Sequence, residues 1–119
     1  MGGYLVFFVS DPVDDSLAAE VRGEVAALAR RRAWSARSPG FFDDPEPEPG
    51  SARTTGGFLR LDGPAADDVA ALFDAVVGLS ARLEVACELQ WREAILGHVR
   101  AGVADPGLEQ AVTSATATG

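Results

Sequence analysis

Between Leu83 and Arg92 the chain alternates, with Val85, Cys87, Leu89 and Trp91 apolar and Glu84, Ala86, Glu88, Gln90 and Arg92 set between them. Successive side chains of a strand point to opposite faces, so this pattern predicts a strand with one face under helices and the other open to water or a partner. Tyr4 to Val9 is apolar without a break. An unbroken run of that length predicts a central strand covered, at least in part, on both faces.

Asp11-Pro12 closes this first strand. From about Asp14 to Arg32 the apolar residues Leu17, Val21, Val25 and Leu28 recur on one helical stripe. Asp14 and Asp15 suit the positive end of that helix, and Arg30, Arg31 and Arg32 suit its negative end, which accounts for the three arginines without an anion site. Ala33 to Ser38 predicts a short strand with Trp34 and Ala36 on one side, ending at the turn Pro39-Gly40. Phe41 to Gly50 carries prolines at 45, 47 and 49, which fix the local backbone in extended form and forbid regular structure. With Ser51 to Gly57 as a loose return, residues 41–57 are expected to form a flexible, acidic, proline-rich loop.

Gly57 to Asp62 predicts a strand with Phe58 and Arg60 opposed to Leu59 and Leu61. Gly63-Pro64 opens a second helix whose stripe is Val69, Leu72, Phe73, Val76, Ser80 and Leu83, leading into the alternating strand. Ala94 to Arg100 reads as a short helix or a return strand, and Gly97 and the poor apolar spacing favour the strand. Gly102 to Gly107 is expected as a turn, Leu108 to Val112 as a short helix, and 113–119 as a disordered tail.

The element order is strand, helix, strand, strand, helix, strand. It predicts an α+β fold of the ferredoxin-like βαββαβ sandwich type over residues 1–112, with an antiparallel sheet and two helices on one face. The chain then ends in an extra strand or a short helix. Because the first strand has no polar side, one of its alternate sets, Tyr4, Val6 and Phe8 or Leu5, Phe7 and Val9, must lie on the open face. That is an exposed apolar patch, the kind of surface that meets another molecule.

Composition narrows the functional classes. The chain has 119 residues, 47% of them hydrophobic, enough for one core without staples. Its single cysteine, Cys87, leaves no internal disulfide and no multi-cysteine metal site, and a reducing cytoplasmic setting is the expectation. No basic leader precedes an apolar stretch, the longest apolar run is too short to span a bilayer, and Val6 breaks a myristoylation pattern, so no membrane is expected. Eighteen acidic residues face ten basic ones, all arginine, for a formal net charge of -8. Such a field repels nucleic acid and attracts a basic partner.

Two constellations are candidates for function. Asp43, Asp44, Glu46 and Glu48 place four carboxylates within six residues beside Phe41 and Phe42, an anchor and a steering charge for a basic protein partner. The extended proline backbone splays these carboxylates apart, so no metal ion is expected among them, and no cofactor is expected elsewhere. In the second constellation, with Arg92-Glu93 as a two-residue hairpin turn, Cys87 and His98 fall opposite each other, a thiol beside an imidazole. Cys87 belongs to the apolar set of its strand, which favours packing over nucleophilic chemistry. The leading expectation is therefore a small acidic non-enzymatic binding protein of the immunity or inhibitor kind. The alternative is a small dimeric α+β barrel enzyme acting on an apolar metabolite, paired through the open sheet face, with His98 as acid-base.

Overall fold

The computed structural model describes residues 2–35 and 37–117. Its elements in order are β1 (Gly3–Val9), α1 (Asp15–Arg31), β2 (Gly40–Asp44), β3 (Thr54–Leu61), α2 (Ala66–Leu83), β4 (Ala86–Trp91), β5 (Ala94–Arg100), β6 (Val103–Ala104) and α3 (Leu108–Ala117). The strands form one six-stranded sheet in the order β2-β3-β1-β4-β5-β6. All neighbours are antiparallel. This is the expected α+β fold, with β1 and β3 central among the first four strands as the split βαβ order requires.

One set of alternate residues, Leu5, Phe7 and Val9 of β1 with Leu59 of β3, Cys87, Leu89 and Trp91 of β4 and Val99 of β5, is buried under the helices. Val21, Val25 and Leu28 of α1, Leu72, Val76 and Leu79 of α2, and Leu108 and Val112 of α3 close the same core. All three helices therefore cover one face of the sheet. Asp14 caps α1 by accepting the Leu17 N–H at 2.8 Å. α2 ends where Glu84 takes a left-handed conformation, φ 54, which turns the chain directly into β4. The buried Ser80 hydroxyl fixes that corner: it donates to the Val85 carbonyl at 2.6 Å and accepts the Gly102 N–H at 3.1 Å.

Four local expectations give way, besides the two-residue β6 that pairs with β5 inside the turn expected at 102–107. Residues 33–35, 37 and 38 form no strand; Ala36 lies outside the described residues. The Trp34 indole donates to the Ala29 carbonyl at 3.2 Å and the Ser35 N–H donates to Asp68 Oδ2 at 2.9 Å, so helix ends satisfy this segment in place of a sheet ladder. Phe41 to Asp44, expected to be irregular, lie in β2 and pair with Thr54 to Gly57 of β3, the stretch expected as a loose return. The irregular segment therefore shrinks to residues 45–53, because the prolines begin only after Asp44 and the aromatic pair before them is free to join the sheet.

The third difference concerns register. Arg92 and Glu93 do form the two-residue turn, both at positive φ. A bulge in β5 then shifts the pairing by one residue, so Leu89 faces Gly97, Cys87 faces Val99, and His98 stands opposite Glu88. Gly97 permits it: its φ is +157, and a Cβ there would lie 2.9 Å from Leu108 Cδ1. Fourth, α3 continues through residues 113–117, expected as part of a disordered tail. Thr113 and Thr116 donate their hydroxyls back to the carbonyls of Glu109 and Val112, and Thr116 is buried. Among the described residues no helix is long and apolar enough to cross a membrane.

Candidate functional site: the uncovered sheet face

The face of the sheet away from the helices carries the set Tyr4, Val6 and Phe8 of β1. Register places Arg60, Phe58 and Gly56 of β3 beside them, and Gly40 and Phe42 of β2 beyond. On the other flank, Gln90 and Glu88 of β4 neighbour Val6 and Phe8, followed by Ile95 and His98 of β5. The face is thus divided along β1, with an aromatic half over β1, β2 and β3 and a polar half over β4 and β5. Tyr4 is 47% exposed and Ile95 63%.

The aromatic half has a defined relief. The Phe58 ring lies where a Cβ of Gly40 would be, 2.5 Å from its Cζ, so the glycine gives this ring its seat. Tyr4 meets Phe58 edge to face, with ring centroids 5.7 Å apart, a favoured geometry for an aromatic pair. Gly3, Tyr4, Val6, Phe42 and Phe58, with Gln90, Arg92 and Glu93, line a depression of about 630 Å³ open to solvent. Toward the other end of the strands, Phe8 and Phe42 flank Gly56, which has no side chain to fill the space between them.

That other end is acidic. The end of β1, the start of α1, the end of β2 and the following proline loop come together there, which gathers Asp11, Asp14, Asp15, Asp43, Asp44, Glu46 and Glu48. Arg53 sits among them, bonded to Asp43 through two nitrogens at 2.9 and 2.8 Å and to Asp15 at 2.8 Å. The Arg53 guanidinium and the Thr55 hydroxyl, which donates to Asp43 Oδ1 at 2.7 Å, hold the Asp43 carboxyl well below its usual range, at about 2. Their carboxylate partners in turn raise the Arg53 pKa.

The six residues expected to meet a partner therefore do not act as a unit. Phe41 and Asp43 turn to the helix side, Phe41 beneath the Arg22 guanidinium at 5.0 Å and Asp43 in the Arg53 network. Phe42 and Asp44 lie on the open face, and Asp44 also accepts the Glu46 N–H at 3.2 Å. Glu46 accepts the Gly50 N–H at 3.1 Å and so shapes the loop, while Glu48 is exposed. Phe41 to Asp44 reads as two aromatics followed by two carboxylates, with no alternation to signal this division; pairing with β3 sets it.

The thiol and imidazole are also separated. Cys87 is fully buried on the helix side, and burial, with Asp11 nearby, pushes its thiol up to about 12, which leaves it un-ionised near neutrality. His98 lies on the open face, its Nε2 3.2 Å from Glu88 Oε1 and its Nδ1 3.8 Å from Asp105 Oδ2. Gln90 donates to the other oxygen of Glu88 at 2.6 Å, so an amide, a carboxylate, an imidazole and a second carboxylate run in sequence along the polar half. Sequence spacing missed this row because the bulge that creates it moves His98 by one position. Among the described residues no group of three or more His, Cys, Asp or Glu side chains is placed to hold a metal ion. The chain matches no protein-family model, no curated protein and no solved structure.

Proposed function

We propose that this chain is a non-enzymatic protein-binding module for a basic partner, acting in the cytoplasm as an immunity or inhibitor protein does. The reading rests on an uncovered aromatic half-sheet whose Phe42 is followed closely in the chain by Asp44, Glu46 and Glu48, at an end of the sheet that also bears Asp11, Asp14, Asp15 and Asp43. Phe8 and Phe42 would serve as the desolvated anchor, and Asp44, Glu46, Glu48, Asp14 and Asp15 would steer a basic surface toward it. Asp43 is excluded from the contact set, since its carboxylate is already saturated by Arg53 and Thr55.

The test is calorimetry with the purified product of the adjacent gene, at about 50 mM and about 0.5 M salt, where the screening length falls from more than 10 Å to less than 5 Å. The reading expects binding that weakens at high salt, weakens in a D44N/E46Q/E48Q variant, and is lost in Phe42→Glu. Binding insensitive to all three changes, or none at low salt, would sink it. A second reading, a dimeric enzyme with His98 as acid-base, draws on the Glu88–His98 pair at 3.2 Å. It requires two copies to close the open faces over a cavity, so a monomer in sedimentation at working concentration dismisses it.

A further inference from the structure

We propose that the depression at the arginine-bearing end of the open face, lined by Tyr4, Val6, Phe58 and Gln90, binds a small apolar anion such as a medium-chain or aromatic carboxylate. This site is distinct from the acidic end assigned above to the basic partner. Phe42 borders both, lining the depression and anchoring the partner surface, so the two are told apart with the chain alone and a variant at Arg60, away from the partner contacts.

Size and lining fit a small molecule. The depression measures about 630 Å³, within the roughly 300–1,000 Å³ of small-ligand sites, and its walls are mainly aromatic and aliphatic with an amide at one side. The sign of the ligand's charge follows from the groups at and beside the rim, and Arg60, though not one of the lining residues, borders Tyr4, which is. Arg60 stands beside Tyr4 across the β1–β3 ladder, and its guanidinium lies 5.9 Å from the centroid of the Tyr4 ring. That ring therefore already faces a cation of its own chain, and a cationic ligand head would have to displace it. Arg92 also lines the depression, stacked against Trp91 at 5.1 Å.

Two carboxylates share this end. Asp62 pairs with Arg60 at 3.3 Å, both largely exposed, and Glu93 lines the rim beside Arg92. Exposed pairs of this kind contribute little and rearrange readily, so a ligand carboxylate can share the Arg60 guanidinium. The seven-carboxylate cluster lies at the opposite end of the strands, so this is the end of the face where an anion meets least repulsion.

The experiment is an amide NMR titration of the chain alone with three eight-carbon probes: octanoate, octan-1-ol and octyltrimethylammonium. Octanoate is expected to saturate with shifts gathered on Gly3, Tyr4, Val6, Phe58 and Gln90, and to bind about fivefold more tightly than octan-1-ol, as one shared exposed ion pair allows. Octyltrimethylammonium is expected to bind more weakly than either. In Arg60→Gln, an exposed position where the fold is not at risk, octanoate falls to the level of octan-1-ol while octan-1-ol binding is unchanged. Equal affinity for octanoate and octan-1-ol, preference for the ammonium, indifference to Arg60→Gln, or shifts centred outside the depression would each overturn the proposal.

Discussion

Replacing Asp43 by Asn removes one charge from the proline loop's root while keeping the side chain's shape. In the native protein Asp43 accepts three hydrogen bonds, two from Arg53 and one from the buried Thr55 hydroxyl. Asn cannot accept at both positions and turns an N–H toward the guanidinium. A carboxyl moved from 3.8 to about 2 corresponds to an upper bound of about 2.4 kcal/mol. The Asp43 and Arg53 side chains are 18% and 22% exposed, so water and salt screen the pair and the expected loss is about 1–2 kcal/mol. The folded state holds this carboxyl more acidic than the unfolded chain does, so the stabilisation is complete above about pH 4 and is lost as pH falls through about 2. Urea unfolding of wild type and Asp43→Asn should therefore differ by a constant amount from neutral pH to about pH 5, then converge between about pH 4 and pH 2. Asp44→Asn, at an exposed neighbour, should stay within about 0.5 kcal/mol of wild type throughout. A gap that persists unchanged to pH 2, or none at neutral pH, would refute the assignment of Asp43 to an internal role.

Three further outcomes follow from the packing. Gly97→Ala should cost about 1–3 kcal/mol in chemical denaturation, because an L side chain is strained at φ +157 and its Cβ presses on Leu108. Ser80→Ala should cost about 1–3 kcal/mol by removing the hydroxyl that donates to the Val85 carbonyl and accepts the Gly102 N–H, and Ser80→Thr should also destabilise, because the Ser80 side chain is fully buried and an added methyl has no room. Cys87 should resist Ellman's reagent in the native state and react stoichiometrically once unfolded, since its thiol is both buried and held un-ionised.

The sequence pattern carried the fold wherever periodicity was strong. The unbroken apolar run from Tyr4 to Val9, the stripe of α2 and the alternation from Val85 to Trp91 are each local patterns that match one element type, and β1, α2 and β4 appear there. The failures share a physical form, in that distant partners decided them. Trp34 left the strand its neighbours suggested because its indole found the end of α1. Phe41 and Phe42 entered the sheet because Thr54 to Gly57 offered an edge, which composition near three prolines concealed. Gly97, used to argue for a strand, was also the sign of a bulge, and that second meaning set which face His98 occupies. For the candidate site, an apolar set of β1 on the open face was legible because that strand had no polar side. The separation of Phe41 and Asp43 from Phe42 and Asp44 was not, since it rests on register with β3.

The most direct measurement is a hydrogen-exchange footprint of the protein with its basic partner bound. Slowed exchange is expected in β1, β2 and residues 45–53, with the outer surfaces of α1 and α2 unchanged apart from the first turn of α1. Protection centred on α2, α3 or the β5–β6 edge, with β1 and β2 exchanging as in the free protein, would contradict it.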